Sequence, residues 1–252
     1  MNILEIKDLT VNIGEKRILD KVSLTIKEGE TCVVMGPNGS GKSTLSSVLM
    51  GHPAYQVTGG QIFFKGQEIT DKKPEERAAL GLFMTFQQPR EIEGVDFYPY
   101  LFDAYKFLKA ARQEKAVSVF DFKKLMDKEI AALKITDDWS RRYLNRGFSG
   151  GEKKKAEILQ LALLKPSFAI FDEIDSGLDV DALKVVGRAM KRFKKPSASA
   201  LIVTHYLRIL EYIEPDKVVV MSAGRIIKTG GHDLAKRLEK EGFEKIIKAK
   251  LE

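Results

Sequence analysis

The stretch GPNGSGKST, residues 36–44, constrains this chain more than any other. It follows a continuous apolar run, TCVVM (31–35), and leads into STLSSVLMG, which reads as a helix stopped by Gly51. A run apolar at every position fits a central strand covered on both faces. The spacing Gly36, Gly41, Lys42, Ser43 satisfies G-x4-G-K-[ST] in the strand–loop–helix setting that the pattern requires. Glycines let the backbone curl so that successive N–H groups face inward, and the helix N-terminus adds partial positive charge. The loop (Gly36, Pro37, Asn38, Gly39, Ser40, Gly41, Lys42, Ser43, Thr44) is therefore expected to cradle a nucleotide's phosphates. Lys42 would sit on the β and γ phosphates, and the Ser43 hydroxyl on a Mg2+ ion bridging them.

A Mg2+-bound triphosphate needs an acid at the end of a neighbouring strand. FAIFDE (168–173) supplies Asp172 there, as a ligand for the metal or its water. The adjacent Glu173 is not needed for the metal and is placed to accept a proton from an attacking water. Two further strand ends carry polar side chains: LIVTHY presents His205, able to bond the γ-phosphate or orient the water, and LFMTF is followed by Gln87, able to reach Mg2+ or the water.

The rest of the pattern alternates strands and helices. A β-meander occupies the first 30 residues, and GGQIFFKGQEI (59–69) forms a further β-pair. KKPEERAAL starts a helix, and LFMTF (82–86), SFAIF (167–171), SALIVT (199–204) and KVVVM (217–221) read as strands. SAGRIIKTG closes a hairpin. Residues 87–146 differ: an irregular segment with two prolines precedes amphipathic helices near 100–111 and 119–133. The expected organisation is one domain over 1–252, with an α/β body (1–86 and 147–252) and an inserted helical subdomain (87–146). The tail 233–251 places Leu234, Leu238, Phe243, Ile246 and Ile247 at helical spacing and is expected to pack on its own domain.

Composition narrows the function classes. Of 252 residues, 44% are hydrophobic and 31% charged, which suits a globular domain. The formal charge of +7 is spread along the chain and reads mostly as a solvated surface. The lone Cys32 excludes a disulfide framework and belongs in the core. MNILEIKDL does not read as a signal peptide, and no apolar run reaches membrane-spanning length. The expectation is a cytoplasmic protein with no direct membrane insertion and no nucleic-acid partner, since coiled coils and zinc hooks are absent from the pattern.

Taken together these motifs resemble the ABC-type ATPases. Residues 36–44 match that family's phosphate loop, Gln87 its Q-loop, FSGGE (148–152) its LSGGQ signature, FAIFDE its Walker B segment, DSGLD (175–179) its D-loop and His205 its switch histidine. Four variant spellings, EIDSGLD, GFSGGEKKK, FMTFQQPREIEGV and VTHYLRILEYIEPD, are most similar to the SufC subfamily, the soluble ATPases of SUF iron–sulfur cluster assembly.

The resemblance implies a P-loop NTPase (RecA-like) core with an N-terminal antiparallel β-subdomain and an inserted helical subdomain. It implies Mg2+-dependent ATP hydrolysis in a head-to-tail homodimer, with Ser149, Gly150 and Gly151 of one chain capping the ATP on its neighbour's phosphate loop and Asp179 coupling the two sites. It implies SufB/SufD-like scaffold partners docking near residues 87–146, where Phe97, Tyr98, Tyr100, Phe102, Tyr105 and Phe107 divide between core and interface. The nucleotide-binding subunit of a membrane transporter is the alternative. One departure is Ile13, where many of these ATPases stack adenine on an aromatic residue, so nucleotide affinity is expected to be modest. Of Lys153, Lys154 and Lys155, at least two are expected in solvent, and one could pair with Glu173 in the resting chain.

Overall fold

The computed structural model describes residues 1–135, 139, 142–194, 198–204 and 207–248. The N-terminal meander is two long antiparallel strands, β1 (Asn2–Ile13) and β2 (Lys16–Lys27). With β4 (Gln56–Phe64) and β5 (Gln67–Glu68) they make a four-stranded sheet ordered β2-β1-β4-β5.

The central sheet has six strands. β3 (Thr31–Met35) lies between β10 (Ser199–Val203) and β11 (Lys217–Ser222), and β9 (Phe168–Asp172) follows β10, with β6 (Leu82–Thr85) at the edge. All of these pairs are parallel; β12 (Arg225–Gly230) joins β11 antiparallel as the expected hairpin. The continuous apolar runs are explained by two cores. Val33, Phe171 and Ile202 face one side, where helices pack; Cys32, Val34, Ile170 and Val203 face the other, toward the N-terminal sheet. Cys32 is fully buried, and burial pushes its thiol up to about 12.

Parallel register aligns the strand ends. Val34 pairs with Val203, Val203 with Asp172, and Thr85 with Phe171. The loops after β3, β6, β9 and β10 therefore leave from one edge of the sheet, where ligands gather in open α/β folds. Helix α1 (Lys42–Leu49) follows the Gly-rich loop. Its last carbonyls, of Val48 and Leu49, accept from the buried guanidinium of Arg77 in α2 (Pro74–Leu80) at 2.6 and 3.0 Å. That capping satisfies acceptors every helix C-terminus leaves open.

Residues 87–146 are less irregular than the prolines suggest. β7 (Ile92–Asp96) pairs antiparallel with β8 (Tyr143–Leu144), joining the two ends of the insertion. α3 (Phe97–Ala111) begins three residues earlier than expected, because Pro99 lies in its first turn, where a missing N–H costs nothing. α4 (Val119–Ala132) is capped by Ser118, whose hydroxyl accepts from the Asp121 N–H. The insertion shares a core with the body: Phe97, Leu101, Phe122 and Trp139 join Ile158 and Phe171 in one buried cluster.

α5 (Gly150–Leu164) and α6 (Val180–Phe193) complete the helical face. The tail helix α7 (His232–Lys248) buries Leu234, Ala235, Leu238 and Ile246 in the same cluster, so it packs on its own domain; it kinks at Gly242. The tail's last residues and the Ile247 side chain lie outside the described set. Among the described residues no helix is long and apolar enough to cross a membrane.

Candidate functional site

The phosphate loop is shaped by contacts that only glycine permits. A Cβ on Gly36 would meet the Met221 carbonyl oxygen at 2.2 Å and Ser40 Oγ at 2.8 Å. At Gly41, φ is +101°, a left-handed value, and a Cβ would strike Leu19. Lys42 Nζ donates to the carbonyls of Gly36 at 2.9 Å and Pro37 at 3.0 Å, so the lysine bridges the loop's own start. Burial pulls its ammonium below the usual lysine range, against the opposing pull of Glu173 and Asp172. Ser40 Oγ is buried with no hydrogen-bond partner, a donor facing into the loop. These are the properties of an anion cradle. Asn38 and Gly39 are exposed; Ser43 and Thr44 are half-buried at the start of α1.

Ser43 Oγ donates to Asp172 Oδ1 at 3.3 Å across 129 residues. Burial first, then repulsion from Glu173, pushes the Asp172 carboxyl up to about 6. A hydroxyl and one carboxylate are hard oxygen donors that suit Mg2+, which takes few protein ligands and fills its shell with phosphate oxygens and water. No cluster of three His, Cys, Asp or Glu able to hold a metal unaided occurs among the described residues.

Glu173 stands just beyond β9 with φ +47°, a left-handed backbone that costs a non-glycine residue about 1–2 kcal/mol. Its N–H donates to the Val203 carbonyl at 2.8 Å, fixing the turn. Its carboxylate accepts from Gln87 Nε2 at 2.5 Å. Gln87 therefore meets the expected base directly. Strain of this kind gathers at functional positions. His205 lies outside the described residues; the residue before it, Thr204, is buried and donates to both oxygens of Asp175 at 3.2 and 2.9 Å. This bond ties the D-loop to the end of β10. Asp175 stood out in the sequence only as a spelling variant, and its burial could not be read there.

Ser149 and Asp179 are helix N-caps. Ser149 Oγ accepts from the Glu152 N–H at 3.3 Å, and Glu152 returns a bond to the Ser149 N–H at 2.7 Å, completing a capping box. Asp179 accepts from the Ala182 N–H at 2.7 Å. Ser149, Gly151, Glu152 and Asp179 line one hollow of about 680 Å³, rimmed by Lys155, Lys184 and Arg188. No phosphate-loop residue lines it. Ser149 and Gly150 are exposed.

The expected lysine contact to Glu173 is replaced by another arrangement. Lys153 pairs with Glu91 at 2.9 Å, and Lys155 reaches the Lys134 carbonyl at 3.4 Å. Lys154 is buried; its ammonium donates to the Phe86 carbonyl and pairs with Glu157 at 3.3 Å. Glu157, also buried, accepts the Phe86 N–H. Burial pushes the Glu157 carboxyl up to about 7, opposed by Lys154 and the Phe86 N–H. Charged residues in a helical run read as solvated, so the pair was invisible in sequence. Of the insertion's aromatics, Phe97 is wholly buried; Tyr98, Phe102 and Tyr105 pack on Phe122; Tyr100 and Phe107 are exposed. Ile13 is exposed at the end of β1.

The strand-end cradle and carboxylates of this sheet define a P-loop α/β nucleotide-hydrolysing protein. The sequence profile of the ABC transporter family matches residues 19–176, and the chain belongs to that family of ATPases. It is 51% identical to a probable ABC transporter ATP-binding protein of Streptococcus pyogenes, an alignment covering 96% of this chain and 94% of the relative. It is 46% identical to a probable ATP-dependent transporter of Synechocystis, covering 96% and 94%. Among solved structures it resembles a nucleotide-free ATP-binding cassette from an ABC transporter at TM-score 0.75 and 26% identity, covering 96% of each chain. A dimeric post-hydrolysis cassette bound to ADP and Pi shares the fold at TM-score 0.77 and 20% identity, covering 91% of this chain and 98% of that one.

Proposed function

We propose that this ATPase drives conformational change in a soluble iron–sulfur cluster assembly scaffold, with SufB/SufD-like partners. The four motif spellings of the SufC type carry the reading. A single, deeply buried cysteine is inert, so this chain contributes conformational work and leaves cluster ligation to its partners. Loading and hydrolysis close and reopen two such chains around ATP.

In this reading the loop N–H groups, Ser40 and Lys42 bind and orient the triphosphate. Ser43, Asp172 and Gln87 would hold Mg2+, which supplies charge neutralisation between the phosphates. Glu173 takes the proton of the attacking water, and His205 orients that water against the γ-phosphate. The exposed helix start at Ser149, Gly150 and Gly151, with Asp179 beside it, completes the site of a second copy. Its support is the hollow that Ser149, Gly151 and Asp179 share, which no phosphate-loop residue lines. Partners dock by the hollow between the Q-loop and the insertion, where Phe86, Ile92 and Tyr100 present apolar surface.

Co-purification of the tagged chain from its native cells tests the reading. Soluble scaffold proteins are expected in the eluate. A membrane-embedded partner would instead establish the nucleotide-binding subunit of a transporter, the function that the names of the relatives favour.

A further inference from the structure

Phe86 is where β6 leaves the sheet. Its strand partner β9 pairs only as far as Thr85, and the next two backbone groups are taken over by side chains of α5. Glu157 accepts the Phe86 N–H, and Lys154 donates to the Phe86 carbonyl. The two side chains are 5% and 4% exposed and pair with each other. One residue further on, Gln87 reaches Glu173 at 2.5 Å.

Burying two charges is a poor way to gain stability. Apolar residues of similar volume usually serve as well or better, because desolvation offsets the attraction. What an apolar pair cannot do is hold a backbone donor and a backbone acceptor at once. The pair thus does something that packing alone would not: it fixes one residue of the Q-loop to the helix whose N-terminus is the signature.

We propose that Glu157, with Lys154, is a positioning residue of the ATPase: by gripping both backbone groups of Phe86 it sets Gln87 against Glu173 and ties the catalytic base to the signature helix. Neither side chain touches nucleotide in this account. Both act through Phe86, and the readout is turnover rather than ATP capture. The proposal stands on the ATPase activity alone and is independent of which partner the chain serves.

The test is the apolar pair Lys154→Met/Glu157→Leu, which removes both grips without stranding a charge. It is assayed as the full chain at a pH well above the Asp172 titration. Expected are a melting temperature at or above that of the parent, a KM for ATP within about twofold, and kcat lower by about tenfold, as misplacement of a positioned group gives. The loss should shrink to less than about twofold in a Gln87→Ala background, because residues acting through one another are not additive. Lys154→Met/Glu157→Gln keeps an acceptor for the Phe86 N–H and should retain more of kcat than the apolar pair. Unchanged kcat, a rise in KM alone, or a full tenfold loss on top of Gln87→Ala would each overturn the proposal. If the apolar pair does not fold, Lys154→Met/Glu157→Gln, which loses the grip on the Phe86 carbonyl, still decides: its partial kcat loss should vanish in the Gln87→Ala background, and a loss of the same size there would overturn the proposal.

Discussion

The side-chain amide of Gln87 donates to the carboxylate of Glu173 at 2.5 Å, joining two loops 86 residues apart. Gln87 leaves the edge strand β6, and Glu173 leaves β9, its parallel neighbour. The bond orients the carboxylate that would accept the proton of an attacking water, the part a third group plays beside a catalytic base.

Substituting the base isolates its role. Glu173→Gln keeps size and hydrogen bonding but cannot take a proton. Hydrolysis should fall about a hundredfold or more, as loss of a general base does, while ATP binding persists. Paired measurement of single-turnover rate and equilibrium nucleotide binding checks this; a rate near that of the parent would assign the base elsewhere.

Whether the signature serves its own chain or a neighbour is settled by mixing. Lys42→Ala leaves a working signature, and Ser149→Arg leaves a working phosphate loop. Each alone should be inactive. Mixed in equal amounts, half of the head-to-tail dimers pair one of each and hold one intact site of two, restoring about a quarter of parental activity. Sites completed within one chain would give no recovery. Ser149 also caps α5, so its loss costs about 1 kcal/mol, and the melting temperature of that variant is recorded alongside.

The raised Asp172 carboxyl gives a pH signature. At about 6 in the folded chain against an ordinary 3.8, it holds its proton more tightly than the unfolded chain does. Its contribution to stability therefore falls as pH rises from 3.8 to about 6. Metal-dependent nucleotide binding runs the other way, because Mg2+ needs the ionised carboxylate, and weakens as pH drops through about 6. Titrating Mg2+-ATP affinity across that range checks this, with Asp172→Asn expected to be weak and nearly flat.

Two loop glycines should differ sharply. Gly36→Ala drives a methyl into the Met221 carbonyl and should cost about 1–3 kcal/mol through overpacking, together with loss of ATP affinity. Gly39→Ala meets nothing within 4 Å and pays only for its φ of +74°, about 1 kcal/mol. Urea midpoints of the two variants rank them.

The sequence by itself determined the strand–loop–helix at 31–49, the buried parallel strands and the placing of Gln87, Asp172 and Glu173 at strand ends. Each rests on a short local pattern: glycine spacing, unbroken apolar runs and the residue that follows them. The roles of Ser149 and Asp179 as caps are equally local, each standing at the start of a helix. Tertiary structure alone decided the rest. That Lys154 and Glu157 are buried, that Asp175 holds Thr204, that β7 closes on β8, and that Gln87 rather than a lysine meets Glu173 all depend on packing between segments far apart in the chain. A lysine or glutamate in a helical run has the same local signature in water as in a core. Only the approach of β6 to α5 brings the backbone donor and acceptor of Phe86 to the two charges that grip them.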